Sequence, residues 1–305
     1  MIDIQHDREA CKAVVTVDDR LFTEYRYGHY TCRPYFYPVL TPDGQHLTRG
    51  YPMEEHEGET ADHYHHRSIY VAHGLVNGYN LWDEGIGGEG HGTMLQRGEP
   101  VVGMVGETAQ IDGIVDWFSP TGHRLFEERR SVWITPGDDA VRVVDHRSEL
   151  RASHGDVVLG DTKEGGLFSI RVATSMDAKE KGRIENSEGQ VFDGQGEETT
   201  WGKQAAWVDY SGPVANGDQW GFTVVDHHSN PRHPTYWHVR GYGLFTANPF
   251  GVHDFKGDKS IDESMTVKDG AAAIFQYRMI VHSGRGVDGH ASVRGLIDAY
   301  QNTAD

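Results

Sequence analysis

His123-Arg124-Leu125-Phe126-Glu127-Glu128-Arg129-Arg130-Ser131-Val132-Trp133-Ile134-Thr135, then Pro136-Gly137-Asp138-Asp139, then Ala140-Val141-Arg142-Val143-Val144-Asp145-His146-Arg147-Ser148-Glu149-Leu150-Arg151, is two period-two segments joined by a turn signal. That pattern reads as a long β-hairpin.

Working outward, the same reading recurs. Residues 12–17 and 21–27 flank an Asp18-Asp19 turn, and Pro42-Asp43-Gly44 is another turn. Residues 205–210 and 220–225 flank Asn216-Gly217, a pair that readily takes the positive φ angles of a tight turn. Residues 177–200 are polar and rich in Gly and Glu, which predicts a long excursion or flap. Near the end, Val293, Leu296, Ile297 and Tyr300 fall at i, i+3, i+4 and i+7, the apolar face of a short helix. No internal repeat or linker interrupts the 305 residues, so residues 1–305 are expected to form one domain.

Composition narrows the function classes. Hydrophobic residues make up only 37 %, but aromatics reach 10 % with seven Trp, and large rings build a core from fewer residues. The 38 glycines suit a chain with many tight turns. Acidic residues outnumber basic ones 46 to 28, a formal charge of −18, and this surface repels phosphate backbones and anionic membranes. Neither nucleic acid nor a membrane is therefore an expected partner. The first residues lack the apolar core of a signal peptide, and no run approaches the ~18 apolar residues of a span. Cys11 and Cys32 are too few for a disulfide scaffold and read as reduced thiols in the cytoplasm.

Chemistry concentrates in two places. Between His56 and His91 stand six of the 19 histidines, centred on Asp62-His63-Tyr64-His65-His66-Arg67-Ser68 and followed by Ile69-Tyr70-Val71-Ala72-His73-Gly74. If extended, this centre points His63 and His65 one way and His66 the other. Paired imidazoles can bind a metal, act as acid and base, or donate to sugar hydroxyls. No His-Glu-x-x-His or cysteine ligand set is present. Arg67 is expected either to pair with an acid such as Asp62 or to clamp a substrate oxygen. The second stretch is Asp226-His227-His228-Ser229-Asn230-Pro231-Arg232-His233-Pro234-Thr235-Tyr236-Trp237-His238, where two prolines predict a stiff loop carrying polar and aromatic groups.

Four segments together carry a resemblance: Arg33-Pro34-Tyr35-Phe36-Tyr37-Pro38-Val39, residues 63–74, Asp161-Thr162-Lys163-Glu164-Gly165-Gly166, and residues 229–237. Over residues 30–300 the chain resembles the bacterial PmoA-like family, a domain of unknown function often labelled methane oxygenase. That label fits poorly, because the membrane subunit of that name spans the bilayer and this chain has no such stretch. The resemblance implies carbohydrate work, since members tend to be encoded among sugar-catabolic genes, and it supplies no established catalytic residue. It also draws attention to Lys163 and Glu164, at the entrance to the alternating 168–172 strand.

The expected architecture is all-β: a large antiparallel β-sandwich with a short C-terminal helix, of the galactose-mutarotase-like supersandwich type by analogy of strand density and aromatic content. The expected function is a carbohydrate-active enzyme that cleaves, eliminates or isomerises a small glycoside or keto-sugar. His65, His66 and Glu164 would move protons, while Arg67, His73, Lys163, His228, Asn230, Arg232, His233, Trp237 and His238 would hold the substrate. Two alternatives stay open: a non-catalytic sugar-binding or accessory protein, and a metal-dependent enzyme with His63, His65 and His73 as ligands of a divalent metal. No nucleotide cofactor is expected, since Gly85-Ile86-Gly87-Gly88 lacks a strand–turn–helix context. A homo-oligomer stays open.

Overall fold

The hairpin at 123–151 forms as Arg124–Pro136 and Val141–Ala152, whose antiparallel register sets Val144 opposite Ile134 and Ser148 opposite Arg130. This computed structural model describes residues 1–305 apart from 86–89, 139 and 304–305. Asp139 of the hairpin turn and residues 86–88 of the glycine-rich segment therefore lie outside the described residues. Alternation places Glu128 and Arg130 on one face of the hairpin. Both are buried as a bonded pair, with Arg130 Nε donating to Glu128 at 2.8 Å and Trp117 Nε1 donating to the same carboxylate at 2.8 Å. A run that looks like surface charge thus supplies a core ion pair.

The chain is nearly all-β, built from two large antiparallel sheets. The eight-stranded sheet runs, in spatial order, Ile2–Asp7, Lys12–Val17, Arg20–Arg26, Tyr35–Val39, Ile69–His73, Gly165–Arg171, Leu244–Ala247, Trp237–Val239. The ten-stranded sheet runs Val191–Phe192, Arg183–Asn186, Trp207–Pro213, Gln219–Asp226, Ala272–Ser283, Val141–Ala152, Arg124–Pro136, Thr108–Phe118, Thr93–Gln96, with Val101–Val105 also on Thr108–Phe118. The two faces meet where Phe22, Phe36, Ile69 and Phe168 of one sheet approach Ile134, Val144 and Met279 of the other. Both faces are therefore apolar at alternate positions, as a sandwich core requires.

The C-terminal helix, Val293–Gln301, buries Val293, Ile297 and Tyr300 against Val141, Val143, Val225 and Ile280 on the outer face of the ten-stranded sheet. Each such side chain contributes about 1.5–3 kcal/mol on burial. The excursion at 177–200 contains the strands Arg183–Asn186 and Val191–Phe192, which extend the ten-stranded sheet at its edge. Edge pairing, not hydrophobic pattern, orders it, so the sequence alone reads as a loop. Among the described residues, no helix is long and apolar enough to cross a membrane.

Candidate functional site

Alternation along Ile69–His73 sends Ile69 into the sandwich core and turns Tyr70 outward, where Trp82 and His66 cover it. The outer face of the eight-stranded sheet is thus roofed here by the segments before and after this strand. That segment is not extended. His63 has φ 42°, the backbone N–H of His66 donates to the carbonyl of His63 at 3.0 Å, and the rings of His63 and His66 stack at 4.9 Å. His63 also stacks on Tyr242 at 5.3 Å with a 7° tilt, giving a three-ring ladder of Tyr242, His63 and His66. His65 stands edge-on to His66 at 4.4 Å. The alternation expected for His63, His65 and His66 fails because a turn, not a strand, occupies 63–66.

Two buried arginines hold this turn. Arg49 bonds Asp62 and donates to the carbonyls of Thr60 at 3.2 Å and His63 at 2.9 Å. Arg171 donates to Asp62 at 2.9 Å and to His66 Nδ1 at 3.3 Å, and lies over the Tyr242 ring at 5.0 Å. Burial would raise the Asp62 carboxyl, but the Arg171 guanidinium, with His63 and Arg49, holds it below its usual range. Burial drives His65 down to about 4 against the pull of Asp83, and drives His66 well below 6.5, with His65 and Arg171 adding to it. Both imidazoles are neutral at pH 7, and His66 accepts from Arg171.

Among the described residues, Asp177 is the carboxyl that holds its proton more tightly than usual. Burial raises its carboxyl to about 7 even though Arg171 pulls the other way, and Asp62 adds to the rise. Its Oδ1 is buried without a hydrogen-bond partner among the described residues. Gly243 makes this arrangement possible: at φ 96°, a Cβ there would sit 2.9 Å from Asp177 Oδ1. Nothing in the polar run at 177–200 marks Asp177 in the sequence. Tyr242 and Arg171 are missed for the same reason, since a turn tyrosine and a strand arginine carry no local signature.

Lys163 and Glu164 stand at the other end of the same face, where Gly165 pairs with His73. They form a half-exposed ion pair at 2.8 Å, while Asn248 donates to the carbonyls of Thr162 and Lys163 at 2.9 and 3.1 Å. Tyr242 senses both ends: burial raises its phenol, and Glu164 and Asp62 raise it further against Arg240 and Arg171. His238 faces outward on Trp237–Val239, buried beside Phe255 and accepting from Trp201 at 3.0 Å. Burial, with Arg240 and Lys163, drives it down to about 3.

Other expected substrate contacts go elsewhere. Arg67 clamps Glu84, with Nε 2.7 Å from Oε1 and 2.8 Å from Oε2, so its partner is Glu84 and not Asp62. His73 points into the sandwich, fully buried, bonding Gly160 O at 2.9 Å and packing on Phe250. Trp237 is a core residue whose N–H donates to Ala205 O at 2.9 Å. Residues 228–233 are a structural corner on the ten-stranded sheet side. His228 bonds Thr303 O at 2.8 Å, Asn230 donates to Asp226 and Gln276 O at 2.7 Å, and His233 bonds Asp226 at 2.8 Å. Arg232 donates to the carbonyls of Pro249 at 3.1 Å and Ser264 at 3.2 Å. The two histidine-rich segments therefore do not share one cavity. Nor do His63, His65 and His73 converge as metal ligands: among the described residues, the His/Cys/Asp/Glu group with ligand atoms within 4.8 Å of one another is His46, Glu54 and His56.

Fold and face together define a two-sheet β-sandwich protein with a polar, ring-lined face on the outside of its smaller sheet. Within that class, the chain belongs to the family of unknown function DUF6807, whose model matches residues 12–292. This corrects the resemblance drawn from the four motifs: the match is to this family, and nothing in the comparisons indicates a PmoA-like one. A comparison with curated proteins gives no match. Among solved structures, a heparinase III is similar over 93 % of this chain and 34 % of its own, at 12 % identity and a TM-score of 0.35. The chain thus spans about a third of that protein's length. A galactose mutarotase related enzyme from Lactobacillus acidophilus is similar over 93 % of this chain and 98 % of its own, at 9 % identity and a TM-score of 0.38.

Proposed function

We propose that the outer face around Tyr242 and His63 is a carbohydrate site, and that Asp177 moves the proton when a small glycoside or keto-sugar is cleaved, eliminated or isomerised there. The observation that carries this reading is the Asp177 carboxyl at about 7, with a buried oxygen that has no hydrogen-bond partner among the described residues, beside Arg171 and a ring ladder whose His63 is exposed. A carboxyl poised near neutrality serves as acid in one step and base in the next. The apolar C–H groups of a sugar pack against the exposed edge of the His63 ring beside Tyr242, while Arg240, Lys163 and Glu164 offer charged hydrogen bonds to its hydroxyls. His65 and His66, neutral at pH 7, act as hydrogen-bonding and positioning groups.

The test is consumption of a panel of glycosides and keto-sugars by purified protein, followed by NMR. Asp177→Asn should lower kcat by about 100-fold or more with the fold intact, and His63→Ala should chiefly raise KM. A panel left untouched, or an Asp177→Asn variant as fast as the parent, contradicts the acid–base reading. Saturable binding without product would favour the accessory-protein alternative.

A further inference from the structure

Residues 46–56 bring a second chemical cluster together on the segment that follows Tyr35–Val39. A ring nitrogen from each of His46 and His56 and a carboxylate oxygen of Glu54 all lie within 4.8 Å of one another. His56 Nε2 stands 3.2 Å from Glu54 Oε2, and the two imidazole rings are 4.6 Å apart. Tyr37, fully buried, donates its hydroxyl to Glu54 Oε2 at 2.8 Å and stands 3.4 Å from His56 Nε2. His46 Nδ1 is buried and has no hydrogen-bond partner among the described residues. His46 and His56 also line an open cavity of about 660 Å³, whose lining includes Thr174, Ser175 and Lys181.

We infer that His46, Glu54 and His56 bind a divalent transition-metal ion of the zinc type, with Tyr37 orienting the carboxylate and an open coordination position facing the cavity. Two imidazoles and one carboxylate are a donor set that holds zinc while leaving a place for water or a substrate oxygen. A hydrogen bond from an outer residue to a ligating carboxylate fixes its direction, the part Tyr37 plays here. This site stands independently of the Tyr242 face.

Protein purified without an affinity tag, stripped with a chelator, is titrated with Zn²⁺ by calorimetry, with circular dichroism reporting the fold. The parent should bind one equivalent. The His46→Ala/His56→Ala and Glu54→Gln variants should bind at least about 100-fold more weakly, and Tyr37→Phe about 10-fold more weakly at the same stoichiometry. A control His123→Ala/His154→Ala variant, altering a ring pair elsewhere on the surface, should bind as the parent does. No stoichiometric binding by the parent, or an unchanged isotherm in the His46→Ala/His56→Ala variant, overturns the site.

Discussion

The Asp177 carboxyl, buried beside Arg171 and next to the glycine of a turn, titrates near 7 instead of near its ordinary 3.8. Because the folded chain holds that proton more tightly than the unfolded one, the associated stability is complete below about pH 3.8 and is lost as pH rises through about 7. Asp177→Asn should therefore be more stable than the parent at pH 8, on the order of a few kcal/mol, with the gap closing toward pH 4. Urea unfolding at the two pH values measures it, and an equal gap at both would contradict the assignment. This residue was not legible in the sequence: an aspartate in a polar run looks solvated until the fold buries it. His63, His65 and His66 were legible as a cluster because three imidazoles in four residues are unusual. Their directions were not, since a turn stacks the first and third while a strand would oppose them.

At the scale of elements, the segment 60–66 owes its position to arginine side chains and not to a hydrogen-bonded ladder. Arg49 reaches the carbonyls of Tyr51, Thr60 and His63 as well as Asp62, so four anchors depend on one guanidinium. Arg49→Ala should cost on the order of 2–3 kcal/mol and speed amide exchange at 60–66, leaving Arg124–Pro136 and Val141–Ala152 protected. Uniform deprotection, or none, would show that the turn is held otherwise. Strands and hairpins were readable because period-two alternation and turn chemistry are local; Lys12–Val17 and the helix at Val293–Gln301 fall where their patterns place them. The stiff 228–233 loop was readable as ordered but not as structural. Its polar groups bind Asp226, Gln276 and the 249–264 segment, partners that only the tertiary fold supplies.

On the scale of the whole molecule, the two sheets pack their inner faces together, the C-terminal helix covers part of the outside of the larger sheet, and loops roof the outside of the smaller one. That division explains why alternate residues of one segment meet opposite fates: Trp237 enters the core while His238 faces the roofed side. It also explains why two histidine-rich stretches that look equivalent in sequence end in separate environments, one beside Tyr242 and one beside the C-terminal helix. The most direct measurement is a crystal structure of the protein soaked with mixed glycosides and keto-sugars. A sugar ring packed within ~4 Å of the His63 edge and Tyr242, with a reacting oxygen turned toward Asp177, is the result expected. A sugar bound elsewhere, or that face left empty at saturating ligand, would contradict it.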